Sequence, residues 1–390
     1  MTDPAIVSDP HGQPLPGPGI ERLAGLSIDL LCQVIDNFGD AGICWRLARQ
    51  LTDETGARVT LWIDRPEILA PWRHQAPSID IRDSALLRSE PPHGRLLIAA
   101  IGAELPARLR QHIGGHAIPW IRYEYLTAEP WIDGFHGLPS IKPADGATEW
   151  YFYPGFSDAS GGLLRERDFF SRQAAFGGAV AARWRIARGL DSRPGALRAT
   201  LFGYAGDTLA RLIDGFAGLD QPFDLFIARS IFEALGRPPD RGRMRIVAHD
   251  WLDQDDFDRL LWSSDLNLVR GEESYIRAQW AGKPMIWQPY QQQDGAHRIK
   301  LEAFMDRLLA VAGDADAGVV RALMRAMSGE GDPALCLRPL VARLPTLNAL
   351  ATTWRAQLAL QPPLLDRLCA FIDARLAAAV ATNVHRSLPE

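Results

Sequence analysis

The sequence predicts an α/β protein of two doubly wound halves facing each other across a cleft. Three observations predict it. The chain has 390 residues, too many for one ordinary core at about 100–200 residues per domain. Apolar runs of strand length alternate with stretches of helical period, the pattern of parallel sheets joined by crossover helices. That alternation stops and restarts once, around residues 190–197, where Pro194 and Gly195 separate periodic segments and read as a linker. In such sheets ligands bind at the C-terminal ends of the strands.

Taken in order, residues 1–26 carry Pro, Gly and Asp without an apolar signal core, and read as a disordered extension, not a targeting peptide. "LSIDLLCQVID" (26–36) is a buried strand and "AGICWRLARQLTDETG" (41–56) a helix stopped by glycine. "ARVTLWID" and "RLLIAAIG" (95–102) are further strands, and "HAIPWIRYEYLTAEPWIDGFHG" (116–137) is an aromatic-rich irregular stretch, mainly packing with some of it facing the cleft. After the linker, "ATLFGYAG" is a strand and turn, "PFDLFIARSIFEALG" a strand entering a helix, and "RMRIVAHDWL" a strand. Residues 253–287 read helix, strand, loop, helix, strand, and the stretches 344–359 and 364–383 are helical. The domains are therefore 27–190 and 197–350, with helices at 351–390 packing back toward the N-terminal half.

Composition narrows the function. With 47% apolar and 23% charged residues the chain is of the soluble globular class, and no run reaches the ~18 apolar residues of a membrane span. A net charge of −5 argues against a general nucleic-acid binder. Cys32, Cys44, Cys336 and Cys369 show no CxxC spacing and read as small buried hydrophobes of a reducing cytosol.

Two clusters carry chemistry. Asp36 and Asp40 sit in "QVIDNFGDAG", a glycine-punctuated turn between a strand and a helix. Asp40 stands where an N-cap belongs. One cap suffices for one helix, so a spare carboxylate is available as a general base. The glycine pattern is neither GxGxxG nor a Walker loop. The second cluster is Arg270, Glu272, Glu273 and Ser274, in a strand-to-helix loop. There, helix N–H groups, a hydroxyl and a guanidinium suit a diphosphate, and a carboxylate suits sugar hydroxyls. The alternative is a helix-start cluster in which acids complement the macrodipole and pair with Arg270. Phe202 and Tyr204 alternate along a strand, and Trp251 and Phe257 bracket "LDQDD". By default these aromatics pack the core, though Trp251 and Phe257 could stack on a base. Gln254 fits a helix start. His249 and His297 lack partners at metal-ligand spacing, and no metal site is assigned.

The stretches "DNFGDAGICWRLARQL", "PGFSDASGGLLRE", "LFGY", "DQDDFDRLLWSSDLNLVRGEES" and "RAQWAGKPMIWQPYQQQDGAH" together resemble the bacterial protein-arginine rhamnosyltransferases that modify elongation factor P, over roughly residues 27–380. The resemblance implies a GT-B fold of two facing Rossmann-like domains in a cytoplasmic enzyme. It implies transfer of rhamnose from dTDP-β-L-rhamnose to an arginine nitrogen of elongation factor P, with inversion and without a cofactor or required metal. No nucleic acid or membrane is implied as a partner. By motif, Asp40 would be the catalytic base and Asp36 its companion in positioning the acceptor. Tyr204, of the pair Phe202 and Tyr204, would touch the diphosphate. Trp251, Gln254 and Phe257 would bind thymine, and Arg270, Glu272, Glu273 and Ser274 would hold the nucleotide sugar. Tyr290 and the "QDGAH" segment would close that pocket. Two positions depart from the family pattern: Glu273 replaces a usual aspartate, and Ala205 replaces an acidic residue.

The chemistry agrees with the motif. A guanidinium is always charged and a poor nucleophile. Two carboxylates can divide the work, one fixing its plane and one drawing a proton. The alternatives are a GT-B enzyme using another sugar or acceptor, and a non-catalytic elongation-factor-P-binding protein.

Overall fold

In the computed structural model, residues 21–386 are described except 37, 143 and 311, with 380–386 described by their backbone helix alone. The chain divides into two units, Met1–Phe169 with Gln361–Glu390, and Phe170–Leu360.

In the first unit, β1 (Ser27–Cys32), β2 (Arg58–Ile63), β3 (Asp80–Asp83), β4 (Leu96–Ala100), β5 (Trp120–Tyr123), β6 (Pro139–Lys142) and β7 (Ala147–Phe152) form one sheet. Its order is β3-β2-β1-β4-β5-β7-β6, parallel except for the β6–β7 pair. All of β1 beyond Ser27 is buried, as a strand covered on both faces requires. Its one charge, Asp29, accepts from the Trp62 indole at 2.7 Å and the Gly94 N–H. Helix α1 (Phe38–Thr55) returns the chain to β2, and Gly56 at φ +71° ends it in the left-handed conformation that glycine tolerates. Helix α2 (Ala107–His116) follows β4. The strand order reverses between β1 and β4. That reversal opens a crevice where doubly wound sheets take ligands, and the loop after β1 lies there.

The second unit begins within α3 (Phe169–Ala175), at Phe170, and continues into α4 (Gly178–Ala187). Strands β8 (Leu197–Leu201), β9 (Phe223–Ala228), β10 (Met244–His249), β11 (Leu266–Arg270) and β12 (Met285–Gln288) then form a parallel sheet in the order β10-β9-β8-β11-β12. Its helices are α5 (Asp207–Ala217), α6 (Arg229–Ala234), α7 (Gln254–Ser263), α8 (Glu273–Ala281), α9 (Ala296–Leu308), α10 (Asp314–Met327), α11 (Pro333–Val341) and α12 (Leu344–Ala359). Here the reversal falls between β8 and β11. Helix α13 (Leu364–Arg386) belongs to the first unit, where Asp366 meets Arg167 at 2.8 Å. Among the described residues no helix is long and apolar enough to cross a membrane.

Several elements differ from expectation. The first strand stops at Cys32, four residues short of Asp36, because Val34 donates its N–H to Asp64 (3.0 Å) and leaves the ladder. The aromatic stretch 116–137 contains β5, a fully buried interior strand whose Arg122 neutralises the buried Glu149 of β7. Its charged residue and Pro119 mask the apolar pattern. Most of the expected extension, residues 1–20, lies outside the described residues. Residues 21–26 form a 3-10 turn and its exit, anchored by buried Leu23 and Leu26. The stretch 190–197 is not a free linker. Leu190 is buried with Phe226 and Leu260, and Arg193 donates to both oxygens of Asp224. The chain therefore divides at Phe169 and Phe170. It returns at Gln361, not at 351, because α12 stays with the second unit through the Trp354–Gln279 and Arg355–Gln173 hydrogen bonds.

One contact fixes the helices that carry the second cluster. Arg277 of α8 donates two hydrogen bonds to Asp258 of α7, at 2.8 and 2.6 Å, with both side chains almost fully buried. Asp258→Ala would take both of these hydrogen bonds from a buried guanidinium, so unfolding in urea should show a loss of about 3–5 kcal/mol. Replacing both residues by apolar ones of similar volume should recover much of that loss.

Candidate active site

In the first unit the chemistry gathers where β1 gives way to α1. Asp40 is the third residue of α1, not its N-cap, and is buried. Its carboxylate reaches backward, and Oδ2 accepts the N–H groups of both Ile35 and Asp36 at 2.7 Å. This is the geometry of a capping-box acid applied to the loop before the helix. The other oxygen, Oδ1, receives the Tyr125 hydroxyl at 3.3 Å. Burial raises the Asp40 pKa above the usual carboxylate value, opposed by the N–H groups of Asp36 and Ile35 and by Tyr125, and reinforced by the charge of Asp36. Asp36 is more open than Asp40. Gly39 donates its N–H to the Asp36 carbonyl at 2.8 Å, and a Cβ there would stand 3.1 Å from Asp36 Oδ2. Glycine at 39 thus lets the Asp36 carboxylate lie against the helix start.

In the second unit three loops meet at the C-terminal ends of β8, β11 and β12. The Arg270 guanidinium lies over Phe202 (5.0 Å to the ring centroid) and Tyr204 (4.6 Å), a cation–π arrangement that fixes its plane. Phe202 packs edge-on against Phe257 at 5.2 Å, and Tyr204 against Tyr290 at 6.0 Å. Gln254 reaches Glu273 Oε1 at 3.5 Å, and Glu272 holds the N-cap position of α8 without capping it through its side chain. Ser274 differs from expectation. Its buried hydroxyl donates to the Arg270 carbonyl and accepts the Arg270 N–H (3.2 Å). It shapes the loop from within, so its hydroxyl is engaged by the backbone and not presented to a diphosphate. Trp251 lies in the loop between β10 and α7, three residues before Gln254, and is 48% exposed. Tyr290 is 43% exposed beyond β12.

Two residues at these sites were not singled out from the sequence. Tyr125 lay within a stretch read as packing, and only the return of β5 beside β4 brings it to Asp40. Gln288 is buried at the end of β12. It accepts the Tyr204 N–H at 3.0 Å and donates to the Met327 carbonyl at 2.9 Å, tying the aromatic loop to the sheet. A polar residue closing an otherwise apolar "PMIWQ" strand was its only signal. The histidines serve the backbone: His249 Nδ1 contacts the Asp250 carbonyl at 2.8 Å, and His297 accepts the Gln292 N–H at 3.1 Å. Among the described residues, no group of three or more His, Cys, Asp or Glu side chains is placed to hold a metal ion.

Known proteins share this architecture. A family model described as Elongation-Factor P (EF-P) rhamnosyltransferase EarP matches residues 28–373. A protein-arginine rhamnosyltransferase of Pseudomonas putida is 38% identical over 374 residues, 88% of this chain and 97% of that protein. One from Pseudomonas aeruginosa is 34% identical over 373 residues, 88% of this chain and 98% of that one. A solved structure reported as the structural basis for EarP-mediated arginine glycosylation of translation elongation factor EF-P aligns with a TM-score of 0.60 at 30% identity, over 93% of this chain and 100% of that one. The spinosyn rhamnosyltransferase SpnG aligns with a TM-score of 0.51 at 14% identity, over 90% of this chain and 99% of that one. The fold is GT-B.

The close approach at Gly39 has a measurable consequence. Gly39 lies in the first turn of α1, and the atom a Cβ would crowd is the end of the Asp36 side chain. Gly39→Ala should therefore leave thermal stability little changed. It should still lower acceptor turnover several-fold, because the new methyl displaces the Asp36 carboxylate. Unchanged acceptor kinetics in a stably folded variant would detach Asp36 from the site.

Proposed function

The chain belongs to the EarP family of elongation-factor-P rhamnosyltransferases, and on that premise we propose that this protein-arginine rhamnosyltransferase draws its sugar from dTDP-β-L-rhamnose and inverts the anomeric carbon. Its acceptor is elongation factor P. The observation that carries the mechanism is the carboxylate pair at the start of α1, one partly open and one buried with a single oxygen left for chemistry.

Asp36 meets the guanidinium first and fixes its plane. An arginine nitrogen attacks the anomeric carbon on the face opposite the diphosphate. The carbon–nitrogen bond forms as the carbon–oxygen bond breaks, and its electron pair leaves with dTDP. One proton of the attacking nitrogen passes to Asp40 Oδ1, so the product keeps the guanidinium charge. A single displacement of this kind inverts the centre. The acceptor carries positive charge and the first cluster is acidic, so the two are electrostatically matched.

On the donor side, Arg270 is the cation that meets the charge growing on the leaving diphosphate, held in plane by Phe202 and Tyr204. We take the reaction to need no metal on this account. In this reading Glu272 and Glu273 take the sugar hydroxyls and Trp251, Gln254 and Phe257 the thymine, while Tyr290 closes the nucleotide-sugar pocket. Ser274 acts by shaping the loop. We place the enzyme in the cytoplasm, where its translation-factor acceptor works.

Intact-mass analysis tests the whole reading. Elongation factor P incubated with the protein and dTDP-β-L-rhamnose should gain one deoxyhexose on an arginine, and UDP- or GDP-sugars should give none. No gain with the dTDP donor would refute it. Asp40→Asn separates structure from chemistry: the amide oxygen can still accept the two loop N–H groups, so fold and donor affinity should hold. Turnover should fall by about 10²–10⁴-fold, the usual cost of losing a general base. Arg270→Ala should weaken donor binding by about 1.5–3 kcal/mol in calorimetry, the scale of a hydrogen bond to a charged group.

A further inference from the structure

The carboxylate of Asp40 is asymmetric in its surroundings. Oδ2 accepts two backbone N–H groups and is committed to holding the loop. Oδ1 faces the Tyr125 hydroxyl at 3.3 Å, longer than the ~2.7–2.8 Å typical of an O–H···O bond. A carboxylate oxygen has two acceptor sites. Oδ1 can therefore keep this donor and still receive a guanidinium N–H, which as a charged donor bonds more strongly. Tyr125 follows β5, which pairs with β4 next to β1, so the sheet itself delivers the hydroxyl to the base.

The geometry points to Tyr125 as a positioning residue for the transfer, aiming Asp40 Oδ1 at the acceptor nitrogen and holding that buried carboxylate in its ionised form. This rests on Asp40 being the base. Buried carboxyls favour the neutral acid, and a protonated Asp40 cannot take a proton. Among the described residues, the titratable groups that act on Asp40 are Asp36, from the loop before α1, and Tyr125, from the segment after β5. Asp36 pushes toward the neutral form and Tyr125 toward the charged one. Removing the hydroxyl leaves burial and Asp36 less opposed, so the Asp40 pKa rises further and the base is lost at a higher pH.

The test is the pH profile of kcat for the full-length protein with intact elongation factor P and dTDP-β-L-rhamnose. In Tyr125→Phe the acid limb should move to higher pH by roughly half to one unit. KM for the acceptor should change little, and the high-pH plateau should stay within about tenfold of the parent. A site-specific 3-fluorotyrosine at 125 has the same shape and is a stronger donor, so it should move the limb to lower pH. If Tyr125 is only packing, rate falls equally at every pH or not at all, and that result overturns the proposal. If Tyr125→Phe does not fold, the fluorotyrosine protein decides alone, and an unmoved limb there also overturns it. Asp40→Asn is run in parallel. Parent-like turnover in that variant would sink the base assignment, whereas an inactive Asp40→Asn with an unmoved Tyr125→Phe limb would sink only the role of Tyr125.

Discussion

The first unit depends on one carboxylate oxygen. Asp40 Oδ2 gathers the N–H groups of Ile35 and Asp36, and this decides how the chain leaves β1 and enters α1. Without an acceptor, two N–H groups in a crowded turn would go unpaired, at a cost of about 1–3 kcal/mol each if buried. Asp36 takes its place from the same pair of bonds, since its own N–H is one of those held. Gly39 then supplies the room its carboxylate needs. The motif is therefore one object: Asp40 folds the loop, the loop places Asp36, and the remaining oxygen of Asp40 faces outward from that arrangement toward Tyr125.

The second unit organises its cluster around a guanidinium. In the proposed reaction that guanidinium meets a diphosphate, and for this it has to be held still without being neutralised. Arg270 is held by aromatic faces, which restrain a cation without consuming its donors. Its main chain is held separately by Ser274. Gln288 fixes the Tyr204 end of the same platform to β12, and the Trp287 indole donates to the Gly271 carbonyl at 2.7 Å. The strand-order reversal between β8 and β11 puts these loops side by side. Ser274, Trp287 and Gln288 are engaged by the backbone around them, whereas Trp251 and Tyr290 are the more exposed side chains there.

Much of this was legible in the sequence, for definite reasons. Parallel sheets make strands apolar throughout, so β1, β2, β4, β9 and β11 stand out as runs. Both site clusters lie at strand-to-helix junctions, which glycine and acidic residues mark. What escaped depends on pairing between distant parts. β5 carries Arg122, which reads as surface until Glu149 arrives from β7. Tyr125 is one aromatic among many until β5 aligns beside β4. Leu190 and Arg193 look like linker beside Pro194, and only Asp224 and Phe226 show that they are packed. The N-cap reading of Asp40 missed by geometry alone: the helix begins at Phe38, so the acid reaches back into the loop instead of forward into the helix.

In the mechanism we propose, with Asp40 as the base, the division between an open Asp36 and a buried Asp40 bears on how a carboxylate can deprotonate arginine at all. A guanidinium holds its protons with a pKa above about 12, far beyond any carboxylate, raised or not. Removing a proton before the attack would therefore be uphill by many kcal/mol, at 1.36 kcal/mol per pKa unit. The transfer becomes favourable only as the new carbon–nitrogen bond draws electron density from the nitrogen and makes that proton acidic. The base must then be in place and charged at that instant, which asks more of its position than of its strength. Burial raises the pKa of Asp40, which helps only slightly against such a gap and threatens the charged state that is required. On that proposal, the donors ranged around its carboxylate, two backbone N–H groups on one oxygen and the Tyr125 hydroxyl on the other, would reconcile a dry, well-aimed base with one that is still ionised when the sugar arrives.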